Sequence, residues 1–305
     1  MEYYDFCFAW NWEYDSDFVK VLDRACQCQG VSLFQVTPEN LNSTLLSLGM
    51  GQVSFYSYLD RASDTDERFQ ALAQLSNPET LIRINRFDLA HRTWDKAAMH
   101  RKFVNAGLDA PYTVILPSFS KQPDLPPLDL QTLGGWFAIK PAHGGGGKGV
   151  VANASSWEQV LAARCEYSED EYLLQAQVLP TSLAGRPAWF RVIYCMGQIF
   201  ACWWDPCTHF YTPLTTSELN SFDLFPLLNI SKHIAQLCQL ELYSTEIALT
   251  PTGRFEIVDY INDPIDLRLQ SSYTEGVPDS IIHSIADHLA NHVSIRYPVT
   301  KLDVW

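Results

Sequence analysis

Residues 136–151 read Trp136-Phe-Ala-Ile-Lys140-Pro-Ala-His143-Gly-Gly-Gly-Gly147-Lys148-Gly149-Val-Val151. In an extended chain Trp136 and Ala138 share a face with Lys140, while Phe137 and Ile139 take the other. The apolar alternation predicts a strand, the glycines break it, and Val150-Val151 restarts extended chain. Glycine lets the backbone approach a ligand and take positive φ, so consecutive N–H groups can converge on phosphate oxygens. A flexible surface hairpin is the plainer alternative. A lysine inside an apolar strand is costly unless it pairs with an anion or reaches solvent. A phosphate or carboxylate partner is therefore expected for Lys140.

Three named glycine motifs fail here. A Walker P-loop needs Gly at position 142 and Ser or Thr at 149, where this chain has Ala142 and Gly149. The spacing Gly144, Gly146, Gly149 fits a dinucleotide fingerprint, but that motif opens a helix and Val150-Val151-Ala152 does not. A protein-kinase loop would be followed by His-Arg-Asp and Asp-Phe-Gly, and neither is present.

About a hundred residues on, Arg254-Phe-Glu-Ile-Val-Asp259-Tyr-Ile-Asn262-Asp263-Pro-Ile-Asp266 gathers oxygen ligands at the end of an apolar strand. Glu246 lies thirteen residues before Asp259 on the preceding strand, and an antiparallel hairpin sets the two side by side. Mg²⁺ takes carboxylate and amide oxygens and is usually shared with phosphates.

The rest of the chain frames these two stretches. Residues 3–10 read as a buried strand, with Asp15-Ser16-Asp17 capping a helix over 18–29 that Gly30 closes. Strands follow at 31–36 and 53–59 with a helix over 39–48 between, so the first part is an open α/β sheet. Helices are predicted over 64–75, broken at Asn77-Pro78, and over 94–106. The proline-bearing segment 117–127 is a surface connector. A helix to Arg164, strands at 172–179, 188–194 and 198–204, a helix over 227–240, a strand pair over 244–261 and a helix over 279–292 complete the reading.

The chain has 305 residues, with 47% apolar, 18% charged and a formal charge of −14. That length suits two or three packed subdomains. Without any Lys/Arg-rich run, nucleic acid and an anionic membrane surface are disfavoured as partners. No uncharged apolar run approaches the roughly 18 residues that span a bilayer. The opening residues lack the pattern of a signal peptide, so a cytoplasmic protein is expected. The eight cysteines form no C-x-x-C pair, which predicts reduced thiols. A metal site drawn from Cys202, Cys207 and His209 lacks the usual spacing.

In order and spacing these features resemble the ATP-grasp superfamily: Lys96 before a helix, Lys140 on a strand, the glycine hairpin, a Gln-rich strand, Arg191 on a strand, then Glu246, Asp259 and Asn262 ahead of Pro264. The resemblance covers residues 90–270 and looks closest to ligases that join amino acids to carboxylates, including the ribosomal-protein glutamate ligases. Inositol-phosphate kinases are more distantly similar. It implies an N-terminal open α/β domain over 1–88 and an α+β catalytic part of two subdomains, 89–170 with the lid and 171–305 with the metal site. It further implies that Lys96, Lys140, His143, Gly144, Gly145, Gly146, Gly147, Lys148 and Gly149 contact ATP. Gln175, Gln177 and Val178 would form the hinge at adenine, and Arg191 with Lys140 would serve the phosphoryl transfer. Glu246, Asp259 and Asn262 would hold one or two Mg²⁺ ions, with Mn²⁺ as a substitute. Two departures stand out. Asp259 and Asn262 are three apart where the family has two, so either a bulge or Asp263 must compensate; Ala176 stands where the ligases carry Glu.

The implied activity is ATP-dependent ligation of a small carboxylate to an amine or amino acid, with a homodimer compatible. A small-molecule kinase using Arg83, Arg86, Arg92, Arg101 and Lys102 is the runner-up, and a nucleotide-binding regulator is a third reading. Trp10, Asn11 and Trp12 at the first strand end, together with Trp203, Trp204, Asp205, His209 and Tyr211, are candidates to line an acceptor pocket. His283, His288 and His292 are expected on the surface.

Overall fold

The computed structural model describes residues 1–74 and 81–296; the Asn77-Pro78 break lies outside them. The chain opens with β1 (Glu2–Trp10), α1 (Ser16–Gln29), β2 (Leu33–Val36), α2 (Leu41–Gly49), β3 (Val53–Arg61), α3 (Gln70–Ala73) and β4 (Ile82–Ile84). These strands form one parallel sheet of order β2-β1-β3-β4, the open α/β unit expected. Gly30 ends α1 at φ 67°, a left-handed cap that a side chain would strain. Asp15 makes no capping bond at that helix. It is fully buried and takes a two-pronged bond from Arg61, at 2.7 and 3.0 Å.

A short helix the sequence did not suggest, α4 (Phe87–Thr93), precedes the one expected over 94–106, α5 (Lys96–Asn105). Asp95 separates them, its carboxylate accepting from the Ala98 N–H at 2.9 Å, so Lys96 becomes the first residue of a capped helix. Next come β5 (Thr113–Leu116), β6 (Phe137–Pro141), β7 (Val151–Ala154), α6 (Trp157–Glu166) and β8 (Tyr172–Ala176). Their strands form an antiparallel sheet of order β5-β8-β6-β7. The strand at 172–176, grouped by sequence with the C-terminal subdomain, sits inside this central sheet instead, beside the strand of Lys140.

A small hairpin, β9 (Ser182–Leu183) and β10 (Arg186–Pro187), leads to β11 (Trp189–Cys195), β12 (Gln198–Asp205), β13 (Phe210–Pro213), α7 (Thr216–Ser221), α8 (Phe225–Cys238), β14 (Leu242–Leu249), β15 (Phe255–Asn262) and α9 (Asp279–Arg296). The third sheet is antiparallel, order β13-β12-β11-β14-β15. The α9 helix lies against α1, β1 and β11. Its Ile282, Ile285 and Leu289 join Phe8, Phe18 and Leu22 of the first unit and Ile193 and Cys202 of the third sheet in one core. The central sheet has a separate core of Phe137, Ile139, Val160, Tyr172 and Leu174. Among the described residues, no helix is long and apolar enough to cross a membrane.

Candidate active site

β6 alternates as its sequence predicts: Phe137 and Ile139 are buried, and Lys140 is half-buried on the other face. The strand turns through residues 143–149 into β7, with Lys148 N bonded to Gly145 O at 3.2 Å and Val150 N to Gly147 O at 3.1 Å. Gly149, at φ 73°, is fixed twice over, because a Cβ there would lie 2.5 Å from the Tyr167 ring. His143 is exposed and meets Asp170 at 2.7 Å. The start of α5 docks on this turn. Lys96 N, one of the unpaired first-turn donors, bonds Ala142 O at 2.8 Å, and Lys96 Nζ donates to Gly144 O.

Across from it, register places Arg191 opposite Glu246 and Glu246 opposite Asp259, a row over β11, β14 and β15. Ser244 pairs with Asn262, so between this pair and Glu246–Asp259 two residues of β15, Tyr260 and Ile261, oppose Thr245 alone on β14. That bulge absorbs the unusual three-residue spacing, and Asn262 Nδ2 ends 3.1 Å from Asp259 Oδ2. Asp263, the alternative ligand, instead accepts from Asn85 Nδ2 at 2.8 Å. Its carboxyl is pushed up to about 7, first by burial. It lines a small cavity with Asp60, Ser63 and Trp94.

The two stretches meet. Lys140 Nζ donates to the carbonyl of Val258, the neighbour of Asp259, at 3.1 Å. Burial holds the Lys96 ammonium below its ordinary range, with Asp259 opposing and Lys140 adding to that shift. Burial also acts against the Arg191 guanidinium, yet Tyr211, Glu246, Asp259 and Asp266 together raise it. Arg191 bonds Glu246 and, at 3.2 Å, Ser244 Oγ, and its guanidinium sits 5.2 Å from the Trp204 ring centre. Glu246 Oε2 also lies 3.4 Å from Trp189 Nε1.

Other expected residues divide. The Gln175 side chain is buried, bonding Tyr260 OH at 3.3 Å, with His100 on the same hydroxyl at 2.8 Å. Gln177 and Val178 lie beyond the end of β8, and among the described residues their main-chain groups meet no other main-chain group. Asn11 ties β1 to the loop after β3 through Thr65 at 3.0 Å and the Ala62 carbonyl at 3.3 Å. Trp204 packs with Tyr211 and lies parallel to His209; Cys202 is buried and Cys207 exposed. His283 is exposed, whereas His288 is half-buried with Nε2 3.2 Å from the Met196 carbonyl. Sequence reasoning missed Ser244, Asp170 and Asn85. Ser244 alone left a signal, standing two residues from Glu246 on the same strand face.

Among the described residues, no three His, Cys, Asp or Glu side chains converge as a metal cluster. A cation on Glu246, Asp259 and Asn262 would therefore draw on two carboxylates and one amide. Such an all-oxygen, incomplete set suits Mg²⁺, which keeps waters and shares phosphate oxygens.

No protein-family model matches the chain, and no curated protein does. Solved structures do, over nearly the whole length. A RimK domain ATP-grasp protein from Sphaerobacter thermophilus is 17% identical, with a TM-score of 0.62 over 94% of this chain and 99% of that one. The ATP-grasp ligase PsnB, complexed with minimal precursor, Mg and ADP, gives 0.63 at 12% identity over 96% and 98%. D-alanine–D-alanine ligase from Bacillus anthracis, complexed with ATP, gives 0.62 at 12% over 95% and 97%. This chain has the ATP-grasp fold.

Proposed function

We propose that the chain is an ATP- and Mg²⁺-dependent ligase that activates a small carboxylate as an acyl phosphate for attack by an amine. The observation that carries the reading is the Lys140–Val258 contact, which sets the strand entering the glycine turn against the residue beside Asp259. Lys140 and Lys96 then share this junction with Asp259. Residues 1–88 precede the catalytic part; 89–170 and 171–305 are its two halves, with β8 extending the first to Ala176.

Lys96 and Lys140 bind the phosphates, and the N–H groups of residues 144–149 close over the β- and γ-phosphates. The free main-chain groups of Gln177 and Val178 meet the adenine edge. Glu246, Asp259 and Asn262 hold one or two Mg²⁺ ions, which when bound neutralise phosphate charge; Mn²⁺ has the same preference for oxygen. Arg191 steadies the transferred phosphoryl group and the acceptor. Phosphoryl transfer needs such positioning and electrostatic stabilisation more than a covalent catalyst. The closed turn keeps water from the acyl phosphate.

Likeness to a D-alanine–D-alanine ligase and to the PsnB ligase supports ligation over other uses of ATP. Against the kinase reading, basic residues that it would use are already engaged, Arg86 with Asp88 and Arg101 with Glu171. The test is ADP release over a panel of carboxylates with and without amines. Release requiring both supports the ligase. A stable phosphorylated hydroxyl product points to the kinase, and ATP binding without turnover points to the regulator. Lys140→Ala is expected to abolish nucleotide binding in calorimetry, and unchanged binding removes the main support.

A further inference from the structure

We infer that Asn85 is a positioning residue that holds the cation ligands in place. The inference rests on reading Glu246, Asp259 and Asn262 as those ligands. Asn85 follows β4 at the edge of the N-terminal sheet, is 6% exposed and stands at φ 57°, a region that Asn enters more readily than most residues. A carboxamide offers two N–H donors and an oxygen with two lone pairs. Asn85 uses all of them. Its Oδ1 accepts from the N–H groups of Glu241 and Leu242 at 2.8 and 2.9 Å. Its Nδ2 donates to the Leu242 carbonyl and, at 2.8 Å, to Asp263 Oδ1.

Those partners define one end of the ligand hairpin. Leu242 begins β14, two residues before Ser244; Asp263 immediately follows Asn262, and Ser244 and Asn262 are register partners. The register shifts between that pair and Glu246–Asp259, and again on the far side of Glu246–Asp259. A bulge leaves a residue unpaired and locally disrupts the ladder, so Asn262, though paired with Ser244, is separated from Asp259 by a break in the ladder. Asn85 supplies what the ladder lacks. One side chain from the N-terminal unit grips β14 and the residue after β15 together, next to the 3.1 Å contact of Asn262 with Asp259. The N-terminal unit thus contributes to a cation site made wholly of C-terminal residues.

The experiment titrates Mg²⁺ against a non-hydrolysable ATP analogue on the full chain, comparing the Mg²⁺ needed for half-maximal binding with analogue affinity in chelator. Removing a residue that supports metal ligands typically costs about 10–100-fold in metal affinity. Asn85→Ala is expected to raise the Mg²⁺ requirement by about 10-fold or more, leaving metal-free affinity within about twofold. A lower melting temperature with an unchanged Mg²⁺ requirement overturns the inference, since it marks a purely structural role. If Asn85→Ala does not fold, Asp263→Ala carries the test: it removes only the bond next to Asn262, and an unchanged Mg²⁺ requirement there overturns the inference. Asp263→Asn keeps an acceptor oxygen and is expected to restore much of what Asp263→Ala loses. No such restoration counts against a positioning role. Should the unsubstituted chain bind the analogue with no response to Mg²⁺, the ligand assignment itself fails and the inference falls with it.

Discussion

The turn at residues 143–149 and the β14–β15 hairpin, linked through Lys140 and the Val258 carbonyl, hold their polar groups by different means. The turn is exposed from residue 143 to 148, and Gly144, Gly146, Gly147 and Gly149 have positive φ. The hairpin's oxygens are set by ladder register, by the Arg191–Glu246 pair and by Asn85. The difference separates two tasks. Donors that close over a flexible polyphosphate need a backbone that can reshape, whereas oxygens that hold a cation need one that cannot.

The rigid side can be broken from below. Arg61, 4% exposed, pairs with fully buried Asp15 and donates to the Ile265 carbonyl at 2.8 Å, just beyond the hairpin. Arg61→Ala leaves a buried carboxylate unpaired and should cost about 3–5 kcal/mol, read as a lower denaturant midpoint; a loss below 1 kcal/mol would mean that water reaches the pair. Next in size, Asp259→Asn should slow ADP formation by about 10²–10³-fold, the scale for losing one well-placed electrostatic group, with stability nearly kept. Gly149→Ala meets both a left-handed backbone and the Tyr167 ring, so about 1–3 kcal/mol of destabilisation is expected. Gly146→Ala, with φ 60° and open space around it, should cost only about 1 kcal/mol. Equal losses at both positions would erase the distinction between a packed hinge and a free lid within the turn.

The smallest effect is one of pH. Burial pushes the Asp64 carboxyl up to about 6, with the Asp60 charge adding to the shift and Arg61 opposing it. A carboxyl raised in the folded state binds its proton more tightly there than in the unfolded chain. Its contribution to stability is therefore present at low pH and lost as pH rises through 6. Asp64→Asn should flatten the change in urea midpoint between pH 5 and 7.

The sequence exposed those parts of the site whose signal is local. The alternation around Lys140, the glycine run after it, and the thirteen-residue offset from Glu246 to Asp259 are short-range patterns. Other parts depended on distant partners. Asp15 looked like a helix cap because its neighbours are helical; only Arg61, 46 residues away, gives it a different task. Asn85 is a lone amide in the sequence, and its partners lie 157 and 178 residues on. Gln175 lies on the strand read as the hinge, and the contact of its side chain with Tyr260, 85 residues on, had no signal in the sequence. β8 fell on the wrong side of a boundary because linear order does not reveal which sheet a strand completes.

The seating of α9 against α1 has a consequence for how the chain comes to fold. Phe8, Phe18 and Leu22 share their core with Ile282, Ile285 and Leu289, so the first sheet cannot bury that face until residues near 290 have been synthesised. Contacts of such sequence separation form slowly. A nascent chain halted before α9 should expose an apolar surface that chaperones capture, while the central sheet, with a core of its own, matures earlier.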